Sequence, residues 1–119
     1  MNRTRIKQTF ADYTNKYNAS DLKIRLKIDH TYRVAALAER IARTVTDIPI
    51  DRDLAWTMGM LHDIGRFEQV KRYGTFVDGE SIDHAELGIT LLFEEGLHTQ
   101  FAHITHEEQE LLKDIIQNQ

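Results

Sequence analysis

His62 and Asp63 stand side by side in "GMLHDIGRFEQ", at the end of an apolar run and with Gly65 two residues on. Adjacent side chains on a helix do not face each other, so an ordinary helix gains nothing from pairing them. At a helix end the backbone can turn and let both converge on one point. Imidazole and carboxylate are the ligand types that a hard or borderline divalent ion takes where no thiolate is offered, and this chain has no cysteine. Two ligands do not make a site, so further donors must come from elsewhere. His30, in "IDHTYRVA", precedes Val34 and Leu37 by one and two helical turns. Its ordinary reading is a core histidine. His84, in "SIDHAELG", falls in the first turn of a helical pattern, where backbone N–H groups favour an anion. Its ordinary reading is a partly exposed residue near the cap.

Arg66, Lys71 and Arg72 follow the His-Asp pair and could steer a phosphate, or be solvated loop charges. Arg33, three residues after His30, shares its helical face and could neutralise a substrate charge. His98, His103 and His106 cluster in "LHTQFAHITH", which reads more simply as a loop and a helix cap.

The elements that must position these residues read as helices throughout. Ile6, Phe10, Tyr13 and Tyr17 recur at helical spacing and predict a helix over about residues 3–17. Ser20 is a candidate N-cap for a long helix to about Val45, with Leu22, Leu26, Val34, Leu37, Ile41, Ala42 and Val45 as its apolar face. "TDIPID" is a loop, because Pro49 cannot sit inside a helix. Asp51 or Asp53 then caps a helix carrying Leu54, Met58 and Leu61, which stops near Gly65. Arg66 to Ser81 reads as one irregular stretch, and loops of that length often carry function. A helix follows from about Ser81–His84 to Gly96, with Ala85, Leu87, Ile89, Leu91 and Leu92 apolar. Thr105 and Glu108 form a capping box before Leu111, Leu112, Ile115 and Ile116. No strand pattern appears, and the expected fold class is all-α.

At 119 residues the chain is expected to be one domain over 1–119, able to bury a core without disulfides. No apolar run approaches the ~20 residues of a membrane span, so no membrane partner is expected. The absence of cysteine fits a cytoplasmic location. Residues 1–60 carry 11 Lys+Arg against 7 Asp+Glu, a balance of +4, and residues 61–119 carry 4 against 12, a balance of −8. So acidic a half is a poor partner for polymeric nucleic acid; the two halves could instead attract each other.

"HTYRV" on one helix, "HDIGR" ending another and "DHAELG" opening a third, in that order, resemble the HD-domain superfamily of metal-dependent phosphohydrolases over roughly residues 20–96. The resemblance implies an HD-domain-like helical bundle with one or two divalent ions (Mn, Mg, Fe, Ni, Co or Zn). It implies His30, His62 and Asp63 as metal ligands and His84 as ligand to a second ion. Asp63 and His84 are then the catalytic residues, Asp63 bridging two ions and His84 aiding the second ion or the phosphate. The expected substrate is a small phosphorylated, nucleotide-like molecule, bound with help from Arg33, Arg66, Lys71 and Arg72.

Members usually close the site with a further aspartate on a later helix. After Gly96 the only aspartate is Asp114, which reads as a solvent-facing charge. The ending "IIQNQ", with no C-cap signal, reads as a domain cut short at its C-terminus. A partner subunit in a homodimer could supply the missing carboxylate. Two rival expectations follow: a regulatory HD-type module without turnover, and a helical interaction protein whose histidines lie far apart in space. An iron-dependent oxygenase on the same scaffold is a minor further reading.

Overall fold

A computed structural model describes residues 1–47 and 49–119. Its helices are α1 (Arg3–Thr14), α2 (Leu22–Thr44), α3 (Arg52–Leu61), α4 (Gly65–Tyr73), α5 (His84–Ile89), α6 (His98–Phe101) and α7 (His106–Gln117). A 3-10 turn spans Asp78–Glu80, and a π-helical turn, Thr90–Glu94, extends α5. There is no strand among the described residues, and the chain is an all-α bundle. Ile48, inside the expected "TDIPID" loop, lies outside the described residues.

The caps explain where the helices begin. Asp51 accepts hydrogen bonds from the Asp53 and Leu54 N–H groups, and Asp83 from those of Ala85 and Glu86. These side chains satisfy donors that have no partner within a helix. The Thr105–Glu108 capping box is present. The long helix is capped by Asp21, not Ser20, and α1 ends at Thr14 with Tyr17 buried in the turn beyond it. The first half of the expected loop from Arg66 to Ser81 is helix α4. Gly65 does not stop the chain there but begins a new turn. Phe67 and Val70 are buried, and Glu68 pairs with Arg72 at 2.8 Å, an i,i+4 pair.

Phe10 and Phe67 anchor the core in edge-to-face contact at 5.8 Å, with Tyr13 and Tyr17 around them. The apolar face expected for α2 is buried only in part, with Val34 and Val45 half-buried. Ile24, Thr31, Ala35 and Ala42 are buried, whereas Leu22, Leu26, Leu37 and Ile41 are each more than half exposed. The reason is close helix packing. A Cβ on Gly59 would lie 2.6 Å from Ala35 Cα, so α2 and α3 approach to where only small residues fit. Gly65 does the same for α4 and α5, since a Cβ there would lie 2.3 Å from the His84 carbonyl oxygen and 2.7 Å from Gly88 N. These two glycines hold the segments bearing His30, the His-Asp pair and His84 in one place.

Candidate metal centre

Asp63 is the hub. It lies in the turn between α3 and α4 and is 4% exposed. His30 Nε2 and His62 Nε2 each lie 3.4 Å from its Oδ2, and His84 Nε2 lies 3.8 Å from its Oδ1. One ligand atom from each of His30, His62 and Asp63 falls within 4.8 Å of the others. Ions of this class bind nitrogen and oxygen at about 2.0–2.2 Å, so donors at these separations can share one. Asp63 Oδ1 is buried and has no hydrogen-bond partner. A carboxylate oxygen left so is costly unless something binds it. These residues therefore fit a divalent ion.

The ring orientations suit ligation too. The Gly59 carbonyl accepts from His62 Nδ1 at 2.6 Å, so that a neutral His62 presents its Nε2 lone pair to an ion, and a protonated one donates from Nε2 to Asp63. His84 is buried, not partly exposed, and its Nδ1 meets Asp78 Oδ2 at 2.9 Å. Nδ1–H donates to that carboxylate, so the Nε2 lone pair faces Asp63 Oδ1. Gln119 Oε1 lies 3.2 Å from the same Nε2, while its amide donates to the His62 carbonyl at 3.0 Å. Three lone-pair atoms thus converge, an arrangement that a bound cation would satisfy. Asp78 is held in turn. The buried Gln69 donates to it at 2.9 Å, and Arg66 donates to Phe76 O at 2.7 Å and to Asp78 at 3.2 Å. Such supports fix ligand tautomers.

The electrostatics are set by the same contacts. Burial alone would raise the Asp63 carboxyl, but the hydrogen bond and charge of His62, with the Lys27 ammonium, hold it well below the usual carboxylate range. Burial alone would lower His62, yet Asp63 beside it keeps its pKa above the ordinary value. His30 is lowered, by burial and then by Lys27.

The other expected residues are placed as follows. Arg66 is engaged with the loop that carries Asp78. Arg72 pairs with Glu68, and Lys71 lies over the Tyr17 ring at 5.9 Å. Arg33 is exposed on α2. Asp114 is exposed, as are His103 and His106, while His98 Nδ1 donates to Leu92 O at 2.6 Å. None of these joins a metal-type cluster among the described residues. Three contributors escaped the sequence reading: Lys27, Asp78 and Gln119. Lys27 has a signal, lying at i−3 from His30 on the same helical face. Asp78 and Gln119 lie outside regular periodic helix and have none. Beside His62 opens a cleft of ≈ 330 Å³ lined by Val34, Ala38, Leu54, Met58, Leu111 and Ile115.

A bundle that gathers histidines from separate helices around one aspartate is a helical domain that could hold a metal ion. The family model of the HD domain matches residues 28–118, and the chain belongs to that family. The match begins eight residues later than the expected 20–96 and runs on through α7. The family implies metal-dependent phosphohydrolases. No curated protein and no solved structure matches the chain significantly. No described helix is long and apolar enough to cross a membrane.

Proposed function

We propose that this chain is a metal-dependent phosphohydrolase acting on a phosphomonoester or phosphodiester of a small nucleotide-like molecule. The observation that carries the reading is the convergence of His30, His62 and His84 on the two oxygens of buried Asp63. His30, His62 and Asp63 Oδ2 would hold one ion, and Asp63 Oδ1 with His84 would hold a second. A divalent ion bound there supplies Lewis-acid polarisation of a phosphoryl oxygen and acidifies a water. The chain's own part is orientation. Gly59 O and Asp78 fix the imidazoles, and the burial of Asp63 excludes bulk solvent from its oxygens. The apolar cleft ending at His62 suits the flat face of a base or another apolar body attached to the phosphate. A cytoplasmic setting and a homodimer remain part of this proposal.

Purified protein is to be analysed for bound metal and screened against phosphomonoesters and phosphodiesters with Mn²⁺, Mg²⁺, Co²⁺ and Ni²⁺. Asp63→Asn is expected to abolish turnover and to weaken metal binding by at least about 100-fold, more than the loss of an outer support would. Turnover that persists in Asp63→Asn would sink the reading. The regulatory alternative is favoured by one feature, the Lys27 ammonium 3.1 Å from Asp63 Oδ2, which satisfies that oxygen without metal. Metal bound with no turnover on any substrate would select it. The interaction-protein alternative expected the three histidines far apart, and they are not.

A further inference from the structure

Lys27 is the cation that touches the centre. Its Nζ lies 3.1 Å from Asp63 Oδ2, with 16% of the side chain exposed against 5% for Asp63. The same oxygen is shared with His30 and His62 at 3.4 Å each. An ion held by those three residues and the Lys27 ammonium are therefore rivals for one oxygen, and two positive charges so close repel. The stem of Lys27 is anchored on α2 one turn before His30, and its Nζ sits 5.2 Å from the centre of the Phe76 ring. An ammonium displaced from Asp63 thus stays within a side chain's reach of the centre. Arg66 and Arg72, by contrast, are already paired with Asp78 and Glu68. A flexible stem with a compact charge suits a residue that exchanges partners.

We propose that Lys27 is a phosphate-binding residue that trades places: its ammonium holds Asp63 when no ion is bound, and moves to a phosphoryl oxygen of the substrate when one is. This rests on the metal reading above. It makes two demands of opposite sign on one side chain. As competitor for Asp63, Lys27 weakens metal binding; as phosphate ligand, it strengthens anion binding to the metal-loaded protein. A residue that merely supported the fold would move both in the same direction.

The test is calorimetric titration of Mn²⁺ into the wild-type chain, Lys27→Met and Lys27→Gln, followed by inorganic phosphate into each Mn²⁺-loaded protein. Circular dichroism and melting curves establish that the variants are folded, and the two uncharged replacements guard against one failing. Mn²⁺ affinity is expected to rise roughly tenfold in both variants, the change that corresponds to removing one charge-assisted hydrogen bond. Phosphate affinity is expected to fall roughly tenfold on the same scale, and Lys27→Arg should restore much of it. Unchanged or weaker Mn²⁺ binding, or unchanged phosphate binding, in folded Lys27→Met and Lys27→Gln overturns the role of Lys27 alone. A wild-type chain that binds no Mn²⁺ overturns the metal reading and this inference together.

Discussion

At the scale of the residue, the centre is governed by one proton. The His62 pKa lies above its ordinary value because Asp63 stabilises the imidazolium more than burial opposes it. Nε2 must lose that proton before it can ligate an ion. Mn²⁺ affinity is therefore expected to fall as pH drops through a midpoint above about 6.5, the ordinary histidine value. His30, lowered by burial and by Lys27, gives up its proton at lower pH than His62. Stability of the metal-free protein runs the other way. The raised pKa means that the His62 contribution is complete below about pH 6.5 and is lost as pH rises through the folded value. Metal titrations from pH 5 to 8 in buffers of different ionisation enthalpy give both the midpoint and the proton released. A midpoint at or below 6.5 would remove Asp63 as the partner that tunes His62. Type and spacing alone left His30 and His84 with ordinary readings, but the side chains that gather at the centre were legible through the order of "HTYRV", "HDIGR" and "DHAELG". Their supports were not. Asp78 and Gln119 act through loop and terminal geometry, which has no period, and Lys27 shares the helical face of His30 but shows its partner only when Asp63 is seen beneath it.

At the scale of the element, two close approaches set the distances within the centre. Gly59 seats α3 against Ala35 of α2, and Gly65 seats α4 against His84 and Gly88 of α5. Gly65→Ala would drive a methyl group into backbone atoms at 2.3 and 2.7 Å, neither of which is a flexible side-chain tip. The cost is expected to be roughly 1–3 kcal/mol, as for other overpacked sites. Because α5 must retreat, His84 retreats with it. Denaturant melts combined with Mn²⁺ stoichiometry read both effects: lower stability, and loss of any binding step that uses His84. Gly59→Ala should likewise destabilise, but weaken the His30–His62 side instead. An alanine variant with unchanged melting and metal binding would show that the contact opens at no cost. These contacts also explain what the sequence concealed. A helix normally turns its largest apolar residues inward, yet beside Ile24 α2 buries Thr31, Ala35 and Ala42, and at Ala35 its neighbour comes too close for leucine. Similarly, Gly65 is a stop signal by type but acts here as a packing surface, so α4 was hidden behind it.

At the scale of the whole molecule, the uneven charge acquires a location. The ion pairs among the described residues lie mostly within one half of the chain; Lys27 and His30 reach across from the basic half to Asp63 in the acidic one. The ion pairs that cross between the halves thus fall on Asp63, in the half that carries a balance of −8. An ion there would tie α2, the α3–α4 turn and α5 together, elements distant in sequence. The unfolded chain has no such preformed site, so binding free energy becomes folding free energy. At a free Mn²⁺ concentration 100 times the dissociation constant, the gain is about 2.7 kcal/mol. For a chain of this size that corresponds to a rise in melting temperature of roughly 10 °C. Melting curves over a Mn²⁺ series should climb by this amount near pH 7.5 and much less at pH 5.5, where His62 keeps its proton. A chelator should reverse the rise, and Asp63→Asn should abolish it. A wild-type melting temperature indifferent to Mn²⁺, Mg²⁺, Co²⁺ and Ni²⁺ at millimolar concentration would leave Asp63 as the buried partner of Lys27 and nothing more.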